Sequence, residues 1–413
     1  MQVSQSIVLP TLNINMITPS QPLTCNLALT IRRPFEVPIH NDLANQRYNI
    51  SVAFGTPPQA YSLLFDTGST DIWVPKSNSS GCTPACPANF SFDPTASSTL
   101  VETDVPFDAH YGLTPDLAVK GLYYNDSISV GDLPALNNAT FAVGDIPKPL
   151  YVQGTRGIFG AGTTFSESWY QGPNSPYWQD YDKTYMPLWE RLALQSPSAK
   201  RQFSVWLNAQ DAKSGTVNFG GEDRSKYQGR LVGIPLNLDS ETKNPVGWNV
   251  NLTSVVRTRN DGKEKEKTIR LTKRGYSVDF TVDSGSPNMY VPTELYESIV
   301  KGLDATEVMN GAPYVPCSLR SAKSGYLDFG FNSGAGHQDA VIRVPYSDII
   351  YPPGLPVTVP PVDDRHGEKL CYFGVVPNDG PVRLLGATFL RSAYVVFDVG
   401  EKELRVAQAL WSH

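Results

Sequence analysis

Two eleven-residue segments that lie far apart in this 413-residue chain carry nearly the same sequence. Residues 65–75 read FDTGSTDIWVP and residues 282–292 read VDSGSPNMYVP, with five identical positions and similar residues at most of the others. A second similar pair follows in the same order, GIFGAG at 157–162 and LLGATF at 384–389. A duplication with a period of about 217 residues predicts two homologous lobes, rather than a solenoid of short repeats.

Most of the remaining sequence is typical of short strands separated by turns. Alternating or β-branched apolar residues predict strands at 48–54, 61–65, 121–130, 203–207, 216–219, 248–256 and 394–399. Short helices are predicted at 187–194 and 293–303, the second because its apolar residues line one helical face. The charged run at 261–267 is predicted to be a solvated hairpin tip. The fold class predicted is therefore all-β, with two lobes, pseudo-two-fold symmetry and a few short helices.

Residues 1–46 differ from the rest of the chain because they are only weakly periodic. We interpret residues 1–33 as an N-terminal extension or the remnant of a pro-segment, and Arg32 with Arg33 as a candidate processing site. The stretch 1–25 lacks the basic and apolar regions of a signal peptide. The predicted division places an N-terminal lobe at 34–228 and a C-terminal lobe at 229–413.

The charge balance argues against nucleic acid as a partner. The net charge is −6, only 18% of the residues are charged, and the sequence has no basic patch. No apolar run reaches the roughly 18 residues that a membrane span requires, so no membrane association is predicted.

The five cysteines are Cys25, Cys82, Cys86, Cys317 and Cys371. The close pair Cys82 and Cys86 is compatible with a metal site or a tight disulfide, but no second cysteine pair or histidine group completes a tetrahedral site. A disulfide is therefore favoured, and Cys317 would then pair with Cys371. Sequons that favour a secretory or vacuolar route occur at Asn49, Asn78, Asn89, Asn125, Asn138 and Asn251.

Each repeat places an aspartate, Asp66 or Asp283, at the end of an apolar strand and before a hydroxyl residue, glycine and serine. A single such tripeptide is usually an ordinary turn at a strand end. Two copies inside an eleven-residue repeat change that interpretation, because a pseudo-two-fold axis would bring equivalent residues together. We therefore predict that the two carboxyl groups meet at the axis between the lobes.

Two carboxyl groups a few ångströms apart cannot both ionise readily, so the pair shares a proton. At acidic pH the ionised member can take a proton from water while the protonated member donates one to a carbonyl oxygen. This chemistry suits hydrolysis of an amide by water, with neither a covalent intermediate nor a metal ion.

The chain resembles the pepsin-like aspartic endopeptidases, most closely the secreted fungal members. The resemblance covers roughly residues 34–413 and rests on the repeats together with GTPPQ at 55–59, AHYG at 109–112, FGG at 219–221 and LLGATFLRSAYVVFD at 384–398. It implies a bilobal double β-barrel or sandwich. It also implies an acid endopeptidase that cleaves internal bonds of proteins or peptides, with apolar residues preferred around the scissile bond.

Matched position by position, the resemblance makes Asp66 and Asp283 the catalytic pair that holds the attacking water. Thr67 and Ser284 would brace the pair across the lobes. The full set of residues implied to support the pair is Thr67, Gly68, Ser69, Ser284, Gly285 and Ser286. The serines of this set would hydrogen-bond the outer carboxylate oxygens.

The resemblance also implies a hairpin flap that closes over the substrate. Tyr111 and Gly112 would lie on this flap, with Trp73 as the hydrogen-bond partner of the tyrosine. Family members pair the cysteines that match Cys82–Cys86 and Cys317–Cys371. No cofactor and no metal ion are implied, and a secreted monomer is expected, with a vacuolar location as the alternative.

Two positions depart from the family pattern. The flap tip at 113–116 reads LTPD, which puts flap mobility and subsite preference in question. Pro287 replaces a hydroxyl residue and removes a side-chain donor and a backbone donor near the groove. The alternative function is a catalytically silent pepsin-like binding protein; loss of either aspartate or of Tyr111 would favour it, and all three are present.

Overall fold

The computed structural model describes residues 35–412, apart from 83–84, 88, 113–116, 153, 173–174, 260–265, 302, 304–306, 310–311, 322–323, 335–338 and 364–366. Contacts join residues 34–413 into one compact unit. The predictions for residues 1–33, including Cys25 and the dibasic pair, lie outside the described residues, as do those for the flap tip at 113–116 and most of the charged run at 261–267.

Short β-strands make up most of the regular structure. They are β1 Glu36–Asp42, β2 Arg47–Phe54, β3 Gln59–Asp66, β4 Ile72–Pro75, β5 Val101–His110, β6 Ala118–Val130, β7 Leu136–Asp145, β8 Ile158–Gly160, β9 Gln202–Trp206, β10 Ser214–Phe219, β11 Tyr227–Pro235, β12 Asn249–Arg259, β13 Lys267–Arg270, β14 Val278–Val282, β15 Met289–Val291, β16 Glu307–Met309, β17 Ala312–Pro316, β18 Gly325–Phe331, β19 Ala340–Pro345, β20 Val362–Asp363, β21 Lys369–Tyr372, β22 Val375–Pro377, β23 Leu384–Leu385, β24 Ala393–Asp398 and β25 Glu403–Ala409.

The helices are all short. They are α1 Lys148–Val152, α2 Ser168–Gln171, α3 Leu188–Gln195, α4 Thr293–Val300, α5 Tyr346–Ile349 and α6 Ala387–Leu390. Single 3₁₀ turns occur at Pro94–Ala96, Thr164–Ser166, Tyr181–Lys183, Arg224–Lys226 and Cys317–Arg320. No helix among the described residues is long and apolar enough to cross a membrane.

The predicted all-β class with two lobes and a few short helices is confirmed. All seven predicted strands are present, with ends that differ by a few residues, and both predicted helices are present as α3 and α4. Helix α4 ends earlier than predicted because the chain tightens after Val300, whose carbonyl accepts a hydrogen bond from the Leu303 backbone N–H at 2.8 Å. The helix was predicted to reach Leu303 because this residue continues the apolar face, and Leu303 is indeed buried although it lies beyond the end of the helix.

The strands form three sheets. The largest has 13 strands in the order β11-β25-β24-β9-β10-β1-β2-β3-β8-β4-β7-β6-β5, the second has eight strands and contains β12, β14, β15, β22 and β23, and the third has four. Strand β2 shows why alternation identified it: Tyr48, Ile50, Val52 and Phe54 face the core, and the residues between them do not. Strand β24, in contrast, is buried along its whole length.

Each repeat forms the same local arrangement of strands. In the first half, β3 runs parallel to β8, and β4 lies antiparallel on the other side of β8. In the second half, β14 runs parallel to β23, and β15 lies antiparallel to β23. The echo segments GIFGAG and LLGATF therefore supply the central strands of two equivalent units, which explains why they recur at similar spacing.

An aromatic core joins the two halves behind the repeats. Phe203 and Phe397 stack with ring centroids 4.7 Å apart, and Trp189 and Trp248 pack beside Phe203. The two indoles donate hydrogen bonds of 2.8 Å to consecutive carbonyls, Trp248 to Ala161 and Trp189 to Gly162. This core therefore fixes the end of the first echo segment, which lies directly against the first repeat.

The predicted boundary between the lobes falls inside β11. Position 228/229 lies within this strand, which pairs with the C-terminal strand β25 in the large sheet. The same sheet pairs β24 with β9, so strands from both ends of the chain share it. The division into 34–228 and 229–413 stays a prediction.

Candidate active site

Two backbone loops bring the predicted aspartates together. Asp66 is the last residue of β3 and Asp283 directly follows β14, and both side chains are buried, at 6% and 8% exposed. A Cβ added to Gly68 would lie 2.6 Å from Cγ of Asp283, and one added to Gly285 would lie 2.5 Å from Cγ of Asp66. The glycine of each motif is therefore required because the opposite carboxyl group lies against it.

A reciprocal set of four hydrogen bonds joins the loops beneath the aspartates. The Thr67 hydroxyl accepts from the Ser284 backbone N–H at 2.9 Å and donates to the Val282 carbonyl at 2.8 Å. The Ser284 hydroxyl accepts from the Thr67 N–H at 3.1 Å and donates to the Phe65 carbonyl at 2.8 Å. Thr67 and Ser284 thus occupy the cross-lobe positions expected for a brace, and the arrangement is close to two-fold symmetric.

The Asp66 carboxyl group accepts two hydrogen bonds from its own loop. The Gly68 N–H donates to Oδ1 at 2.8 Å, and the Ser69 hydroxyl donates to Oδ2 at 2.5 Å. Donors that converge in this way stabilise a carboxylate. Ser69 is therefore placed as expected from the resemblance.

Asp283 has a different environment, and the expectation for Ser286 requires a correction. Two backbone N–H groups donate to Oδ1 of Asp283, from Gly285 at 2.8 Å and from Ser286 at 3.3 Å. The Ser286 hydroxyl, however, donates to the Asn288 carbonyl at 3.1 Å. Because that hydroxyl is used within its own loop, its predicted bond to the outer oxygen of Asp283 is not formed.

The surroundings of the Asp283 carboxyl group favour its neutral form. Burial raises its pKa well above the ordinary value, and the charge of Asp66 and a hydrogen bond with Asp66 raise the pKa further. The backbone N–H groups of Gly285 and Ser286 oppose this shift with smaller effects. The two carboxyl groups therefore differ in their surroundings: Asp66 accepts a hydrogen bond from the Ser69 hydroxyl, and burial raises the pKa of Asp283.

The predicted flap is a hairpin of β5 and β6. Tyr111 follows β5, and its backbone N–H donates to the Leu117 carbonyl at 3.1 Å. Gly112 adopts φ +69°, a conformation that favours glycine, and an added Cβ would lie 2.6 Å from Leu117. Tyr111 and Gly112 are thus at the turn of the hairpin, where the resemblance places them.

Tyr111 packs against Trp73, with ring centroids 6.1 Å apart. Both polar atoms are buried, and neither meets hydrogen-bond geometry with a described residue. Burial and the charges of Asp71 and Asp66 raise the Tyr111 pKa well above its ordinary value, while the nearby Trp73 and Ser69 side chains lower it. The Tyr111–Trp73 hydrogen bond predicted from the resemblance is therefore not formed, and the two residues meet by ring packing instead.

A buried polar cluster next to the flap was missed by sequence reasoning. The hydroxyls of Tyr123 and Tyr185 both donate to Oδ1 of Asp71, at 2.6 and 2.7 Å. A signal was available in Asp71 itself, since an acidic residue inside the apolar part of a repeat needs partners.

Both predicted disulfides, Cys82–Cys86 and Cys317–Cys371, are present. Among the residues that the structure describes, no cluster of His, Cys, Asp and Glu is arranged to hold a metal ion. Pro287 lies beside the second aspartate loop, and its carbonyl accepts hydrogen bonds from the Thr388 N–H at 3.3 Å and the Tyr351 hydroxyl at 3.2 Å.

Comparison with known proteins gives a consistent result. The model of the family described as eukaryotic aspartyl protease matches residues 47–409. A probable aspartic-type endopeptidase OPSB of Arthroderma benhamiae is 30% identical over 377 residues, covering 89% of this chain and 70% of the relative. Mucorpepsin of Rhizomucor miehei is 29% identical over 383 residues, covering 90% of this chain and 80% of mucorpepsin.

A solved structure shows the same fold at lower sequence similarity. The aspartic proteinase from Irpex lacteus superposes with a TM-score of 0.68 and 20% identity, covering 91% of this chain and 97% of that protein. The family match spans both aspartate loops, the flap hairpin and the strands that support them. The chain belongs to the eukaryotic aspartyl protease family and is an aspartic-type endopeptidase.

Proposed function

We propose that this protein is an acid endopeptidase in which Asp66 and Asp283 activate one water molecule between them. The observation that carries the proposal is the contact between the two buried carboxyl groups, which the reciprocal bonds of Thr67 and Ser284 support. The different surroundings of the two carboxyl groups give each a separate role at acidic pH.

In the first step Asp66 is the general base and Asp283 the general acid. The Asp66 carboxylate takes a proton from the water as its oxygen attacks the scissile carbonyl carbon. Asp283 gives its proton to the carbonyl oxygen, so the tetrahedral intermediate is a neutral gem-diol. Asp66 is then protonated and Asp283 is ionised.

In the second step the protons return. Asp66 donates its proton to the amide nitrogen, the C–N bond breaks, and Asp283 accepts a proton from one hydroxyl of the gem-diol. The products are a carboxylic acid and an amine, and the carboxyl pair again holds one proton on Asp283. The cycle therefore needs no metal ion, cofactor or covalent intermediate.

The substrates proposed are proteins or peptides bound as extended chains beneath the flap. Tyr111 on the flap packs against a buried cluster that includes Trp73, Phe107 and Tyr123, so this side of the site offers an apolar wall. That wall supports the preference for apolar residues around the scissile bond. Nucleic acid and membranes are not proposed as partners, and the protein is proposed to act as a monomer.

We also propose that the protein is secreted, with a vacuolar location as the alternative, and that it is made as a zymogen. Two disulfides favour an oxidising compartment. Three of the sequons, at Asn78, Asn89 and Asn138, have exposed asparagines and are proposed to carry glycans. The relatives named above are fungal proteins, which supports the resemblance to the fungal members of the family.

The test is cleavage of an unfolded protein between pH 2.5 and 7, with the wild type compared with Asp283→Asn. We expect an acid-side maximum in the wild type and no such maximum in the variant. A folded wild type that cleaves nothing at any pH would instead favour the silent binding protein, which the presence of Asp66, Asp283 and Tyr111 argues against.

A further inference from the structure

A second pair of buried carboxyl groups lies next to the flap, outside the catalytic pair. Asp71 comes five residues after Asp66 and is 2% exposed. Besides the two tyrosine hydroxyls on Oδ1, its Oδ2 accepts the Ser168 backbone N–H at 2.8 Å. Three hydrogen bonds of this kind stabilise a carboxylate.

Glu167 has the opposite environment. It is completely buried, and its Oε2 accepts one long hydrogen bond, from the Tyr185 N–H at 3.3 Å. Its Oε1 has no hydrogen-bond partner among the described residues. Burial, the charge of Asp71 and the charge of Glu190 raise the pKa of Glu167 to about 10, against a smaller opposing effect of the Tyr185 N–H.

The titratable groups packed around the pair come from several elements. Tyr123 lies on β6, Tyr185 precedes α3, Glu190 lies on α3 and Tyr111 follows β5. Burial is the main cause that raises the pKa of each of these tyrosines, and the charge of Asp71 raises each of them further. The charges that act on Glu167 are both acidic, so its surroundings favour the neutral form.

The pair lies at the end of a series of hydrogen bonds that hold the first aspartate loop. Segment 66–71 contacts segment 161–168 through four hydrogen bonds. Two are between backbone groups: the Ala161 N–H donates to the Asp66 carbonyl and the Gly162 N–H to the Ser69 carbonyl, both at 2.7 Å. In the other two, the Thr70 hydroxyl donates to the Thr163 carbonyl at 2.7 Å, and the Ser168 N–H donates to the Asp71 carboxyl group. Glu167 directly precedes Ser168, so a charge on Glu167 would act on the last of these bonds.

We propose that Glu167, a buried non-catalytic carboxyl group next to Asp71, positions the Asp66 loop. The neutral form of Glu167 lets segment 161–168 lie against the Asp71 carboxylate. A second negative charge in this buried place would repel Asp71 and separate the two segments. Glu167 is therefore a positioning residue, and its role in catalysis rests on the proposed function of Asp66.

The first test is the pH dependence of stability, which needs no substrate. Above pH 4.5 the unfolded chain releases the Glu167 proton, whereas the folded protein keeps it. The unfolding equilibrium constant of the wild type should therefore rise by up to about tenfold per pH unit because of this group, and the folded state should lose stability as pH rises. Glu167→Gln should lose that contribution between pH 5 and 8. The matched control is Glu190→Gln, since Glu190 is as buried but pairs with Arg201 at 2.5 Å, and it should keep the wild-type slope.

The second test separates positioning from folding. At pH 4, Glu167→Leu should lower kcat by about tenfold with KM within about twofold, because a misplaced Asp66 loop affects the transition state more than substrate binding. Glu167→Gln, which keeps the shape of the neutral acid, should restore kcat.

Two results would overturn the proposal: an unchanged stability slope in Glu167→Gln, or wild-type kcat in Glu167→Leu. If the leucine variant does not fold, the slope of the glutamine variant decides. Failure of the proposed endopeptidase function would show as inactivity of the wild type and would leave the slope measurement intact.

Discussion

The two aspartate loops share a sequence pattern and a backbone arrangement, yet they treat their carboxyl groups differently. The brace of Thr67 and Ser284 is reciprocal, and each motif glycine lies against the opposite aspartate. Only Asp66, however, receives a hydroxyl donor from its own loop. The duplication therefore supplies a symmetric scaffold, on which the two carboxyl groups have different hydrogen-bond donors.

The residue after the motif serine explains part of this difference. In the first loop Thr70 donates to the Thr163 carbonyl at 2.7 Å and so ties the loop to segment 161–168. In the second loop the equivalent residue is Pro287, which has neither a hydroxyl nor an N–H to donate. The second loop is held instead through the Pro287 carbonyl and through the Ser286 hydroxyl on Asn288.

The largest expected effect comes from removing either carboxyl group. Asp66→Asn and Asp283→Asn should each lower kcat/KM by at least about 10³-fold, because one loses the base and the other loses the acid. Hydrolysis of a peptide substrate at pH 4 measures both. A variant that retained a tenth of the wild-type activity would break the comparison, since its aspartate would then not be needed for proton transfer.

The second lobe also contains a buried carboxyl group, but one that lies beside a cation. Burial raises the pKa of Asp348 to about 6, although the Ser392 hydroxyl at 2.6 Å and the charge of Arg391 oppose the shift. Between about pH 4 and 6 the folded state holds a proton that the unfolded state releases, so the free energy of unfolding falls as pH rises, by about 3 kcal/mol in total.

Asp348→Asn should remove that fall. Urea unfolding of the wild type and the variant at pH 4 and pH 6.5 measures it, and an equal loss of stability in both proteins would contradict the assignment. Together with Glu167→Gln, this variant shows whether an adjacent cation makes buried carboxyl groups in the two lobes behave differently.

The brace is the symmetric part of the comparison. Thr67→Val and Ser284→Ala each remove a buried hydroxyl that makes two hydrogen bonds, so each should lower the free energy of unfolding by about 2 kcal/mol. Denaturant unfolding measures the losses, and Thr67→Ser, which keeps the hydroxyl, is the control. Losses that differed by more than about twofold would show that the brace is not balanced.

The smallest effect distinguishes the two serines. Ser69→Ala removes the hydroxyl that donates to Asp66 and should lower kcat/KM by about tenfold, the value of one hydrogen bond to a charged group. Ser286→Ala removes a hydroxyl that donates to a backbone carbonyl and should leave kcat/KM within about twofold. Equal losses of kcat/KM in the two variants would show that the two serines contribute equally, and would contradict the difference proposed here.

Sequence alone could predict the features that the duplication encodes. The repeat predicted that Asp66 and Asp283 meet, and the echo segments predicted a second equivalent element in each half, which the structure shows as β8 and β23. The strands were predictable because their buried residues alternate, as in β2. The flap turn at Tyr111 and Gly112 was predictable from the resemblance.

The remaining features depend on contacts that sequence spacing does not reveal. Both loops carry a serine after glycine, but a hydroxyl bonds whichever acceptor the folded backbone presents, and for Ser286 that is Asn288. Asp71 meets Tyr123 and Tyr185 across 52 and 114 residues of chain, so no local pattern links them. The position of β11 across the expected lobe boundary likewise depends on its pairing with the distant strand β25.

The most direct test of the asymmetric pair is a carbon-13 NMR titration of the aspartate carboxyl groups from pH 2 to 8. The Asp283 signal should remain that of a protonated acid well above the ordinary aspartate pKa. In Asp66→Asn, which removes the neighbouring charge, its transition should move to lower pH. An Asp283 signal that titrates near the ordinary aspartate value in the wild type, unaffected by that substitution, would contradict a shared proton held on Asp283.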